Sequence, residues 1–165
     1  MTNYICINGK KAELTEEQLK ALGIELPKAS PFERVKEDEI FYYILSTGEI
    51  GTTRECLNGF DTKCFIAANY CTDKAMMKQR ALHETLSRLL WRYSMEHDGD
   101  KIDWRYTQQK KHYIFCDVDT NRFYVDHSWS CCGISRVYFY SQSIAENAIE
   151  EIIKPFMKAH PDFKF

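Results

Sequence analysis

The sequence runs through one order of elements twice, and no feature limits the fold more. "IFYYILSTGEIGTT" (residues 40–53) reads as a β-hairpin with Gly48 in its turn, "CFIAANY" (64–70) as a strand, and "DKAMMKQRALHETLSRLLWRYSMEH" (73–97) as a long helix capped by Thr72. "DWRYTQQKKHYIFCDVDTNRFYVDHS" (103–128) reads as a second hairpin, "RVYFYS" (136–141) as a strand, and "SIAENAIEEIIKPFM" (143–157) as a helix opened by a Ser143–Glu146 capping box. One constant offset carries Tyr43, Ile44, Tyr70 and Ala75 onto Tyr113, Ile114, Tyr140 and Ala145. A hairpin with one strand and one helix buries too little apolar surface to stand alone. Two copies can pool their strands into a larger sheet.

The expected fold is therefore α+β, an antiparallel sheet built from a duplicated ββ–β–α unit with both helices on one face, preceded by an N-terminal β-hairpin and helix. Residues 1–23 carry that hairpin, with Asn8-Gly9 as its tight turn. A short helix follows, capped by Thr15 and Gln18 and stopped by Gly23. Residues 24–38, with Pro27 and Pro31 among charges, read as a linker. Residues 39–100 form the first repeat unit and 101–165 the second, around one shared core.

With 44% hydrophobic and 28% charged residues, the 165-residue chain is globular rather than disordered. A net charge of −2 removes any whole-surface attraction to nucleic acid. The basic pairs Lys10–Lys11 and Lys110–Lys111 read as solvated strand ends. The N-terminus is too polar for a signal peptide, and "IFYYIL" is too short to cross a bilayer, so a cytoplasmic location is expected. Seven irregularly spaced cysteines fit a reducing compartment, where they act as small hydrophobes.

No stretch carries a catalytic signature. His83-Glu84 begins like the helical zinc-protease motif, but Ser87 stands where its second histidine is needed. His127, Cys131 and Cys132 form the one close His–Cys group. Adjacent cysteines point apart, and no second pair completes a zinc site. A thiol nucleophile at Cys131 assisted by His127 is an alternative that requires the two groups to meet. The pairs Asp98/Asp100 and Asp117/Asp119 suit turns and lack the ligand series of a calcium loop. No glycine-rich phosphate loop is present. Neither a cofactor nor a metal is expected.

The surplus lies in aromatic residues on strands. With helices on one sheet face, alternation sends Val137 and Phe139 toward them and Arg136, Tyr138 and Tyr140 away. Together with Tyr124 and Trp129 these make the expected binding surface. Tyrosine and arginine suit a protein interface, or a platform on which nucleic-acid bases stack. The plainer alternative is a second core layer covered by the N-terminal hairpin and linker.

"INGKKAELTEEQLKALG" (7–23), "SPFERVKEDEIFYYI" (30–44), "ANYCTDKAMMK" (68–78) and "VYFYSQSIAENAIEEI" (137–152) together resemble a family of small proteins carried by prophages and other mobile elements of Firmicutes, gut clostridia among them. The resemblance covers nearly the whole chain and rests on structural punctuation and aromatic strands. It implies a mobile-element origin and an intracellular site of action, and supplies no active-site residues. This chain is richer in cysteine, and its tail "KPFMKAHPDFKF" (154–165) holds two prolines. The implied role is a non-enzymatic accessory protein that binds a host protein, such as an RNA-guided (CRISPR) nuclease, to antagonise host defence. A nucleic-acid-binding regulator is the alternative.

Overall fold

The chain is α+β, with helices and antiparallel hairpins in alternation. The computed structural model describes residues 4–7, 10–22, 30–120, 122–130, 132–134 and 136–164. They fall into two units, Met1–Glu33 and Arg34–Phe165. In the first, β1 (Tyr4–Ile7) pairs antiparallel with β2 (Lys10–Glu13), Ile7 opposite Lys10. The Asn8-Gly9 turn and the Gly23 stop lie outside the described residues. Helix α1 (Glu16–Ala21) opens on the expected reciprocal cap. The Gln18 amide donates to Thr15 Oγ1 at 3.3 Å, and the Thr15 amide to Gln18 Oε1 at 2.9 Å.

The second unit starts with β3 (Ile40–Ile44) and β4 (Ile50–Arg54), paired with Tyr43 opposite Gly51. The Tyr43 ring lies over Gly51 so closely that any Cβ there would sit 2.3 Å from it. The segment expected to be loop and then strand is instead helix α2 (Gly59–Ile66). Asn58 Oδ1 accepts from the amides of Phe60 and Asp61 at 2.8 and 3.0 Å, and the Asp61 carboxylate accepts from Asn58 N at 3.4 Å. This Asn-x-x-Asp box starts a helix that overrides the strand-like apolar run after it.

Helix α3 (Lys74–Glu96) follows, capped by Asp73 rather than Thr72. Then come β5 (Lys111–Asp117) and β6 (Arg122–Ser128), and α4 (Gln142–Ala148), capped by Ser141 rather than Ser143. A π-helical stretch (Ile149–Ile153) joins α4 to α5 (Lys154–Ala159). Pro155 gives the reason for the wider winding. It has no N–H, and its ring would strike the carbonyl four residues back in a plain α-helix. No helix among the described residues is long and apolar enough to cross a membrane.

The strands do not pool into one sheet. Among the described residues there are three separate two-stranded sheets. Each expected third strand shrinks to one bridge, Tyr42 with Cys71 and His112 with Phe139. Beside the first bridge, the Asn69 side chain takes the place of a strand, accepting from Ile44 N at 2.7 Å and donating to Ile44 O at 2.9 Å. That closes the β3 edge before a longer ladder forms. In both halves a hairpin is followed by a bridge to its first strand, then by a helix cap two residues later. The counterpart of Tyr70 is accordingly Tyr138, not Tyr140.

The hairpins are covered differently. Tyr42, Ile44 and Ile50 face Met77 and Ala81 of α3, while Phe41 and Tyr43 face the opposite side with Cys64 and Tyr70. Helices α2 and α3 thus enclose the first hairpin, a departure from helices on one face only. In the second, Ile114, Phe123 and Val125 face Leu86, Ile149, Ile153 and Phe156. Among the described residues no helix packs on the other face. The C-terminal tail returns to α3, where Gln79 bonds Asp162 O and Lys164 N, and Phe163 joins the core.

A buried carboxylate closes the first half. Glu55 is fully buried and accepts from Arg34 Nη2 at 2.9 Å, Arg34 Nε at 3.2 Å, Tyr70 Oη at 3.0 Å and Leu57 N at 2.9 Å. Arg34 and Val35, within the expected linker, are therefore fixed to this half, since Val35 N also donates to Tyr70 Oη at 3.1 Å. The Arg34 guanidinium foremost, with Tyr70 and the Leu57 amide, holds the Glu55 carboxyl below the ordinary glutamate range despite burial. Burial pushes the Tyr70 phenol up to about 12. Glu55→Ala leaves these donors without an acceptor, and denaturant unfolding should record a loss of about 3 kcal/mol. The folded carboxyl has the lower pKa, so its stabilisation is complete above 4.5 and drains as acid carries the pH down through the folded value. Glu55→Gln should flatten that acid limb.

Candidate functional site

The residues of β5 and β6 that point away from the helices are Lys111, Tyr113 and Phe115, opposite Ser128, Asp126 and Tyr124. Two layers of contact run along this face, and a third closes the base of the hairpin. At the tip end Phe115 and Tyr124, both exposed, stack with ring centres 5.5 Å apart. In the middle the Arg136 guanidinium lies 4.1 Å over the Tyr113 ring. Tyr113 Oη donates to Asp126 Oδ2 at 3.1 Å. The His127 amide, first, and this hydroxyl hold the Asp126 carboxyl below its usual range. At the base, past Ser128, the Trp129 ring turns to the other side of the strands, edge-on to His127 at 5.5 Å with the Lys110 ammonium 5.3 Å from its centre.

Alternation correctly opposes Tyr138 to Phe139, which enters the helix-side core. Exposure does not follow. Tyr138 is buried, edge-on to Trp104 at 5.0 Å and to Tyr113 at 5.9 Å, its hydroxyl accepting from Gly133 N at 2.5 Å. The cover here is the connection from α3 to β5, where the alternative reading had placed the N-terminal hairpin and linker. Lys111 fixes that connection. Far from being a solvated strand end, its ammonium is buried and donates to the carbonyls of Tyr106, Gln109 and Trp129 at 2.8, 3.0 and 3.1 Å. All three of its protons are used.

Of the expected binding residues, Arg136 and Tyr124 stand exposed along this face, Tyr138 is its buried support, and Trp129 is exposed at the base of the hairpin on the His127 side. Tyr140 is exposed but set apart, beside Lys101. Trp104, Tyr106 and Phe115 were missed as surface residues, and all are exposed. The alternation Tyr113/Phe115 against Tyr124/Asp126 signals Phe115. Nothing in the sequence signals that the 102–110 connection folds onto the face.

Cys131, the thiol of the alternative enzymatic reading, lies outside the described residues. His127 contacts the His112 ring at 5.8 Å and the Trp129 ring at 5.5 Å, and its Nδ1 is 3.7 Å from Asp126 Oδ1. Among the described residues no group of three or more His, Cys, Asp or Glu side chains is arranged to hold a metal ion. Cys64 and Cys71 are buried thiols, and burial pushes the Cys64 thiol up.

Two measurements separate support from surface. Tyr138→Ala opens a cavity under Trp104 and should cost roughly 3–5 kcal/mol in denaturant unfolding, whereas Tyr124→Ala should cost under about 1 kcal/mol. His112 is buried against His127, and burial first, then His127 and Lys110, keep its pKa low against the opposing pull of Glu146. The unfolded chain gains that proton first, so stability should fall as pH drops below about 6.5. Melting temperatures across that range should fall less for His112→Gln than for the unsubstituted chain.

No protein-family model matches this chain, and neither a curated protein nor a solved structure matches it.

Proposed function

We propose that this chain is a binding protein that engages a host protein through the exposed rings of the β5–β6 hairpin, on its outer face and at its base. One observation carries the reading. Phe115 and Tyr124 are exposed on the outer face beside Arg136, Trp104 and Tyr106 are exposed on the connection that folds over it, and Trp129 with Lys110 is exposed at the base of the hairpin. Tryptophan, tyrosine and arginine dominate interface hot spots, and rings already held by packing lose little freedom on binding. The Lys111 staple and the Tyr138 support supply that preorganisation. The resemblance to mobile-element proteins adds the kind of partner, a component of host defence, with an RNA-guided nuclease first to be tried. The overall charge of −2 weighs against nucleic acid as the partner.

The test is Trp129→Ala, which keeps the backbone carbonyl that Lys111 uses. Affinity capture from host lysate should retain a protein on the unsubstituted chain and lose it on the variant. Once that protein is purified, affinity should fall roughly 30-fold, the equivalent of about 2 kcal/mol, with an unchanged melting temperature. Equal capture by both chains would overturn the assignment of this face. A salt-sensitive mobility shift of an oligonucleotide, abolished by Trp129→Ala, would replace the protein partner with nucleic acid.

A further inference from the structure

A second surface lies on the helix side of Arg136. The exposed ridge of α3 and the strand-like segment leading to Phe139 bound a cleft of about 540 Å³, lined by His83, Ser87, Arg88, Trp91, Arg136 and Val137. It continues inward to Ile114 and Phe139. Trp91 is 59% exposed, a large ring left in solvent on the helix that otherwise organises the core. An exposed tryptophan beside an apolar floor is a feature of interaction sites.

The charges at the rim decide what fits. Arg88 uses two N–H groups internally, on Ser46 O at 3.1 Å and Thr85 Oγ1 at 3.2 Å, and keeps the rest of its five donors. The Arg136 guanidinium lies 4.1 Å over the Tyr113 ring, and such a contact with a ring face leaves a guanidinium's N–H groups available to an anion. Neither is in any of the ion pairs among the described residues. Glu84, the carboxylate of the cleft, is already bound by Arg80 at 2.8 Å. The cleft therefore offers two guanidinium groups outside any ion pair among the described residues, on either side of an apolar floor, with Asp126 as the acidic neighbour of Arg136.

We infer that this cleft receives an acidic segment of a partner protein, with carboxylates on Arg88 and Arg136 and an apolar side chain seated between Trp91 and Val137. Planar guanidinium groups pair with carboxylates through two parallel hydrogen bonds. A nucleic-acid strand would want a longer cationic track than two arginines, and bases would find no stack of rings here. The inference keeps the protein-binding reading and adds a surface separate from Trp129 and Tyr124.

The experiment uses the full chain and dye-labelled probes followed by fluorescence anisotropy. The probes are a short peptide of glutamate and leucine, its glutamine-for-glutamate counterpart, and a single-stranded oligothymidylate of equal charge. The glutamate peptide should bind, more weakly as salt rises, and the glutamine peptide and oligothymidylate at least roughly tenfold more weakly. Arg88→Gln and Trp91→Ala should each weaken the glutamate peptide by a similar factor, with melting temperatures unchanged because both side chains are surface groups. Trp129→Ala should bind it normally, so failure of the hairpin face and failure of the cleft are read separately. No binding of the glutamate peptide, equal binding of the glutamine peptide, tighter binding of the oligothymidylate, or indifference to Arg88→Gln and Trp91→Ala would overturn the inference.

Discussion

Everything in the second unit depends on α3 serving as a wall shared by two hairpins. A two-stranded hairpin has too little surface to hold itself together in water. Met77 and Ala81 near the start of α3 cover the first hairpin, and Leu86, Leu89, Leu90 and Tyr93 further along cover the second with α4, the π stretch and α5. Twenty-three residues of helix are long enough to do both. The tail, tied to Gln79 and packed through Phe163, completes the same wall from the outside.

Each half also buries charge, Glu55 and Asp61 in the first and Lys111 in the second, satisfied in its own way. Glu55 is neutralised by Arg34 and knits a chain entry, a strand end and Tyr70 together. Lys111 has three carbonyls and no carboxylate in hydrogen-bond contact, and so fixes backbone rather than a counter-ion. A buried charge that lost its partners would be costly, so both sites resist alternative packings of their loops. The pH windows differ as a result, an acid limb from Glu55 and a near-neutral one from His112 beside the Lys111 strand end.

The asymmetry between the halves gives the molecule its surface. Helix α2 covers the far side of the first hairpin, where Phe41 and Tyr43 are core residues. On the corresponding side of the second hairpin the described residues provide the 102–110 connection and Gly133, which cover Tyr138 and leave Phe115 and Tyr124 in solvent. The rings left over are those that the absence of a second α2 leaves uncovered. Arg136 borders both this face and the α3 cleft, so the two proposed surfaces meet at one guanidinium.

Local chemistry was written in the sequence. Alternation fixed which way Tyr138 and Phe139 point, the Thr15–Gln18 pair fixed a helix start, and apolar spacing fixed α3, because each depends on neighbours a few residues away. The constant offset located both hairpins, yet it misplaced the counterpart of Tyr70 by two residues, since loops between repeats need not keep their length. The Asn58-x-x-Asp61 spacing stands in the sequence, but the β-rich run behind it argues for a strand, and the helix is held by Cys64 packing against Phe41 and Tyr70. Tertiary structure decided the rest. Whether strands join one sheet depends on what fills their edges, and Asn69 fills one from a distance of 25 residues. Whether an outward tyrosine is surface or core depends on which segment folds over it, and a buried lysine bonded to three carbonyls settled that for Tyr138. Such contacts join residues far apart in the chain, and no local pattern specifies them.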